Sequence, residues 1–315
     1  MNRGPPPRVV AVVYSLDGVK QDVAIFDFAT RTWSRETYDH PTPLFPTDGT
    51  QLPDGTVILI DARNPDLTTF HFTPGDGNKI IRLPTQPAKN LLAAMLTLAD
   101  GRVLCLTNEQ RHPVASYCDP ATLQWSTVEL VSRDYPFCPA AVALDNGTVF
   151  LCGGLRTGRT KSKSCYVFDP ATGEYTPRAD MIKARWTNAA VLLPDGKVLV
   201  SGGIVDEPAI KHCDECYART ASCEVYDTEK DEWYQGIVPD MNHRRSQHKM
   251  LYLPTIRTIF VIGIACSSHN AGPGTQCESL CLDESPLSWR IEQTFPNSLF
   301  ERTAVGVGAP YNPNN

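Results

Sequence analysis

The stretch Arg185-Trp186-Thr187-Asn188-Ala189-Ala190-Val191-Leu192-Leu193-Pro194-Asp195-Gly196-Lys197-Val198-Leu199-Val200-Ser201-Gly202-Gly203 decides the fold. Its apolar, β-branched run from Thr187 to Leu193 reads as a strand, a. Pro194-Asp195-Gly196 is a tight turn in which glycine supplies a positive φ. Lys197 to Ser201 is a second strand, b, ended by Gly202-Gly203. Beyond a long loop, Ser222 to Tyr226 reads as a third strand, c. Asp227 to Glu232 is a polar turn, and Trp233-Tyr234 opens a short outer strand, d. No segment carries convincing helical periodicity.

The unit recurs. The glycine turn returns as Asp54-Gly55, Asp100-Gly101 and Asn146-Gly147. An Asp followed six residues later by an aromatic returns as Asp27 with Trp33, Asp119 with Trp125, Asp169 with Tyr175, Asp227 with Trp233 and Asp283 with Trp289. Phe72-Thr73-Pro74 aligns with Phe168-Asp169-Pro170 and supplies the missing register position. Four antiparallel strands in each unit of about 45–50 residues make a propeller blade, and the register counts six of them. The chain enters directly at a b-like strand, Arg8 to Tyr14, and carries a spare strand, Arg302 to Val307, after the sixth unit. Pairing the two closes blade one and leaves no free sheet edge. The expected organisation is a disordered segment 1–7, one all-β propeller over 8–310 and a tail 311–315.

Composition fits this reading. Hydrophobic residues make up 42% and charged residues 20% of 315, as in ordinary globular proteins. The net charge of −6 argues against a nucleic-acid partner, which favours a basic excess. Met1 to Arg8 has no apolar signal core, and no apolar run reaches bilayer-spanning length. Eleven cysteines without a signal segment fit reduced thiols, so the expected setting is the cytoplasm or nucleus.

These residues resemble the kelch repeat family. Its pattern of an Arg and small residues in the first strand, Gly-Gly after the second, a Tyr-type third strand and a Trp some six residues later is best matched by two units. One has Gly153-Gly154, Tyr166 to Asp169 and Tyr175; the other has Gly202-Gly203, Tyr226-Asp227 and Trp233. The sixth unit keeps Arg245, Gly263 and Trp289, and the first three lack the double glycine. The resemblance implies a kelch-type propeller that binds partners on the face formed by its b–c loops and d–a linkers. Many such propellers work in ubiquitin-ligase or cytoskeletal complexes. The BTB or F-box domain that often precedes one has no room before Arg8.

Arg185, Arg245 and Arg302 recur where first strands begin, and repeat symmetry places them at the channel mouth with Arg244, Asn188 and His248. Convergent guanidinium groups suit bidentate capture of carboxylate or phosphate, so an acidic or phosphorylated peptide is the expected ligand. The alternative is that these arginines brace blades through backbone carbonyls. Arg156 and Arg159 lie in a basic loop, Leu155 to Lys163, which reads either as part of the binding face or as an ordinary solvated loop.

His212, Cys213 and Cys216, with Cys223 further on, have the short spacing of a zinc knuckle. No second well-spaced pair completes the four ligands, so no metal is expected. Cys105, Cys152 and Cys165 read as small core residues. The glycine-turn segment also resembles the kelch segments of galactose-oxidase-like copper enzymes. Their Tyr-His pair is absent, as are a nucleophile elbow and a phosphate loop. The sequence therefore points to a monomeric, non-catalytic adaptor or scaffold without cofactor. The alternative is a galactose-oxidase-like oxidoreductase or other propeller enzyme.

Overall fold

A computed structural model describes residues 8–13, 20–39, 46–61, 68–73, 80–84, 87, 91–109, 112–129, 138–156, 160–206, 219–263, 277–293 and 306–307. The expected terminal segments, 1–7 and 311–315, lie outside the described residues. Strands β1 (Arg8–Val13), β2 (Lys20–Asp27) and β3 (Thr32–Asp39) form one sheet. The next contains β4 (Pro46–Gln51), β5 (Val57–Asp61), β6 (Thr68–Phe72) and β7 (Ile81–Arg82). Then come β8 (Leu91–Thr97), β9 (Val103–Glu109), β10 (His112–Cys118) and β11 (Trp125–Glu129). They are followed by β12 (Ala140–Ala143), β13 (Val149–Cys152), β14 (Cys165–Phe168) and β15 (Tyr175–Arg178). The stretch that opened the reading lies in β16 (Ala189–Leu192), β17 (Val198–Ser201), β18 (Cys223–Asp227) and β19 (Glu232–Tyr234). Last are β20 (Lys249–Leu253), β21 (Thr258–Ile262), β22 (Glu278–Cys281) and β23 (Trp289–Ile291). A two-residue strand, β24 (Gly306–Val307), pairs with β1 through Val10↔Val307 and Ala11↔Gly306.

The sheets are blades of an all-β propeller, set in a ring. Inner strands β4, β8, β12, β16 and β20 follow one another as neighbours, and β24 touches both β20 and β4. Lys249 on β20 also pairs with Asp48 on β4 at 2.6 Å. Apolar residues fill the gaps between blades. Val9, Ala24 and Phe26 pack on Leu253, Phe260 and Ile262, so the first blade rests against the last. Stacked rings cross two of these gaps, Phe26 on Phe260 at 5.0 Å and Phe150 on Tyr226 at 4.5 Å.

The recurring turn residues have distinct jobs. Asp27, Asp119 and Asp169 each accept the backbone N–H two residues on at 2.8 Å, and Asp227 does so at 3.2 Å. This side-chain bond reinforces the c–d turn beside a backbone bond from the residue four positions on to the Asp carbonyl. The tryptophans reach backwards to the preceding blade: the indole N–H of Trp233 donates to the Ala179 carbonyl and that of Trp289 to the Pro239 carbonyl, both at 2.8 Å.

Asp283 departs from the register. Trp233 pairs with Tyr226, directly before Asp227, whereas Trp289 pairs with Leu280, so Cys281 holds the turn position. Asp283 bonds Arg257 instead, at 2.6 Å. The last blade's c–d turn is longer, and the six-residue spacing there is accidental.

Candidate functional site

In a four-stranded antiparallel blade the connections alternate between two ends. The a–b and c–d turns share one face, and the b–c loops share the other with the d–a linkers. Arg185 and Arg245 sit in the linkers 181–188 and 241–248 on that second face. They do not offer guanidinium groups to solvent, because both are 0% exposed. Arg185 donates from Nε and Nη2 to Glu224 at 3.1 and 2.8 Å. Its Nη1 donates to the carbonyls of Gly202 and Ser222. Arg245 repeats the arrangement with Glu278 at 3.1 and 2.9 Å and with the Gly263 carbonyl. A buried charge needs a partner and satisfied hydrogen bonds, and these two arginines have both inside their own blade. The expectation of a convergent arginine ring is corrected here: Arg185 and Arg245 are braces.

The carboxylates that complete the braces were not singled out in the sequence. Glu224 also accepts the backbone N–H groups of Ile182 and Lys183. Glu278 accepts those of Asn242 and His243, together with the side chains of both residues. Each buried carboxylate thus gathers its whole d–a linker into one geometry. The available signal was a charged residue inside an apolar strand, as in Cys223-Glu224-Val225-Tyr226.

The double glycines lock each linker to the preceding blade. The N–H groups of Gly154 and Gly203 donate to the carbonyls of Arg185 and Arg245 at 2.9 and 2.8 Å. Gly202 has φ +60°, and a Cβ there would stand 2.6 Å from the His248 ring. Only glycine allows that approach. Asn188 and His248 occupy equivalent places under these glycines and are buried, so neither is presented at the surface. The His248 Nε2 meets Ser201 Oγ at 2.9 Å, while Nδ1 has no hydrogen-bond partner. Burial pushes its pKa down to about 3, helped by the charges of Arg245, Arg185 and Lys249.

Arg244 remains accessible. It is exposed, next to the buried Arg245, and has no hydrogen bond or ion pair among the described residues. Gln247 and Asn242 beside it are exposed too. Gln247 has φ +55° and donates its N–H to the Thr187 carbonyl, and Thr187 has φ +57°. Arg156 is exposed, but its Nη2 donates to Ser164 Oγ. The basic loop is partly neutralised, with Lys161 paired to Asp206 and Lys163 to Asp180. Arg159 and Arg302 lie outside the described residues.

Of the zinc-knuckle residues, His212, Cys213 and Cys216 also lie outside the described residues. Cys223 is a core residue of β18, its thiol pushed up to about 12 by burial. Cys277 of the next blade, the kind of thiol that could complete a four-ligand set, belongs to a different interblade core from Cys223, so the two do not share a site. Cys105, Cys152 and Cys165 are buried, as read. Among the described residues no three His, Cys, Asp or Glu side chains converge as metal ligands. No helix there is long and apolar enough to cross a membrane.

The fold and this loop face define a β-propeller carrying a kelch motif. Residues 136–182 match the family model of the Kelch motif. An F-box/kelch-repeat protein of Arabidopsis thaliana is 27% identical over 161 residues, which cover 50% of this chain and 30% of that protein's length. The chain therefore spans less than a third of that relative. Among solved structures, YjhT superposes with a TM-score of 0.62 at 11% identity, over 92% of this chain and 99% of its own. A fungal alcohol oxidase of the AA5 family, in complex with copper, superposes with a TM-score of 0.54 at 14% identity, over 84% and 69% respectively. At such identities the structural likeness speaks for the fold alone.

Proposed function

We propose that this chain is a non-catalytic protein-interaction module, an adaptor or scaffold, that holds an acidic or phosphorylated peptide on its loop face. The observation that carries this reading is Arg244: an exposed guanidinium without a partner among the described residues, on a linker fixed by Glu278. An exposed guanidinium on an ordered backbone can bind carboxylate or phosphate in a bidentate manner, with only its own side chain left to order. The Kelch motif match and the F-box/kelch-repeat relative support a protein partner; a ubiquitin-ligase or cytoskeletal assembly of the cytoplasm or nucleus is the setting this reading takes. The protein acts as a monomer in this reading. The test is binding to an array of acidic and phosphorylated peptides. Arg244→Glu abolishes binding and melts like the parent; equal binding by both refutes the site.

The same reading takes the ring as six-bladed and closed by the C-terminal strand. The pairing of β24 with β1 and the Lys249–Asp48 bridge between β20 and β4 support it. Deleting residues 300–315 then bares the β1 edge and causes aggregation. A truncated protein that melts with the parent overturns the closure.

The competing reading is an oxidoreductase of the galactose-oxidase kind, and the shared fold with the copper-bound oxidase is its support. His243 and His248 are engaged with Glu278 and Ser201. Stoichiometric copper uptake with alcohol oxidation would favour this alternative.

A further inference from the structure

We propose that Cys152 and Cys165 form a reversible cross-strand disulfide that makes the loop face responsive to peroxide. The two cysteines are direct register partners on β13 and β14, so their side chains leave the same face of the sheet. The next pair along is joined by the Gly153 N–H donating to the Ser164 carbonyl at 3.1 Å. Antiparallel pairs alternate, which makes Cys152/Cys165 the non-hydrogen-bonded kind. There the Cα atoms stand about 4.5 Å apart and side chains are closest. A disulfide accepts Cα separations of about 4.4–6.8 Å, so the pair lies at the short edge of the allowed window. Both thiols are free and belong to one buried cluster.

That position sets the chemistry. The separation allows the bond to close without moving the strands, and any strain stored at so short a separation makes it easier to reduce. Oxidation joins Sγ to Sγ; the two thiols give up two electrons and two protons to hydrogen peroxide, which becomes two waters. Burial pushes the Cys152 thiol up to about 12, and burial raises that of Cys165 as well. The thiolate therefore forms when blade four opens locally, and the bond records that opening.

The consequence reaches the next blade. Asn188 donates from Nδ2 to the Cys152 sulfur at 3.6 Å, and its Oδ1 has no hydrogen-bond partner. Asn188 directly follows Thr187 in the linker that Glu224 and Gly154 hold. Turning Sγ toward Cys165 removes the acceptor of Asn188 and loosens residues 186–188. Coupling to partner binding rests on the loop-face reading above; the crosslink itself does not.

The test treats the full chain with hydrogen peroxide, in native buffer and in urea just below its unfolding transition. Free thiols are then blocked with a maleimide, and the protein is digested without reductant. The expected result is a peptide linking Cys152 to Cys165, two fewer blocked thiols, and reversal by dithiothreitol. Cys165→Ala removes the linked peptide. If that variant does not fold, reversal in the parent serves alone. Recovery of both cysteines as separate adducts or sulfinic acids, in both conditions, overturns the proposal. Hydrogen exchange at residues 186–188 rises on oxidation and returns on reduction; unchanged exchange in a crosslinked protein overturns the coupling and leaves peptide binding by Arg244 untouched.

Discussion

Replacing His248 by Asn tests the interblade packing through pH. The imidazole is wholly enclosed, and its pKa falls from an ordinary 6.5 to about 3, chiefly through burial. Above pH 6.5 the ring is neutral in both folded and unfolded chains and adds no pH dependence. Below it the unfolded chain takes up a proton that the folded chain refuses, so stability falls as pH drops from 6.5 toward 3. At pH 5 the loss is about 2 kcal/mol, from roughly 1.36 kcal/mol for each unit below 6.5. The repeat supplies the control, because Asn188 fills the equivalent place one blade earlier. The assay is urea unfolding of parent and His248→Asn at pH 7.5 and pH 5.0. The variant carries whatever fixed cost the smaller side chain brings, but the parent loses about 2 kcal/mol more on acidification. Equal losses refute the reasoning, since carboxylates common to both proteins would then account for the whole slope.

Glu224→Gln leaves the Arg185 guanidinium enclosed without its counter-charge and costs about 3–5 kcal/mol by chemical unfolding. The paired change Glu224→Leu with Arg185→Met recovers most of that loss; a pair as unstable as the single variant shows that the linker needs the carboxylate itself. Gly202→Ala and Gly196→Ala both force a side chain to positive φ, but a Cβ meets the His248 ring and the Arg245 carbonyl at 2.6 and 2.8 Å in the first and nothing within 4 Å in the second. Gly196→Ala therefore costs only about 1–2 kcal/mol, and Gly202→Ala lowers the thermal midpoint distinctly more. Equal shifts in calorimetry would mean that the glycines serve only backbone freedom.

Much of the fold was legible because its signals are local. The Asp-Gly turns, the aromatic after each Asp, and strand runs such as Val198 to Ser201 each declare themselves within a few residues. Asp283 misled because a longer turn reproduced the same spacing, and only the Leu280–Trp289 register reveals the shift. The loop face was harder to read. Arg185 and Arg245 stood out as charges, but whether a charge faces solvent depends on a partner 33 to 39 residues away. Glu224 and Glu278 decide that, and a lone carboxylate inside an apolar strand signals burial without naming the arginine it pairs with. Arg244 differs from Arg245 by one position, and the bracing of its neighbour leaves it outside.

The glycine-to-arginine bonds run one way around the ring. Gly154 gives its N–H to the blade ahead through Arg185, and Gly203 does the same through Arg245. The return bonds run the other way, from the N–H groups of Arg185 and Arg245 to the carbonyls of Ser162 and Thr220, so a blade of this kind carries both halves of a two-pronged coupling at each edge. Copying one in tandem satisfies both ends and creates no unpaired group.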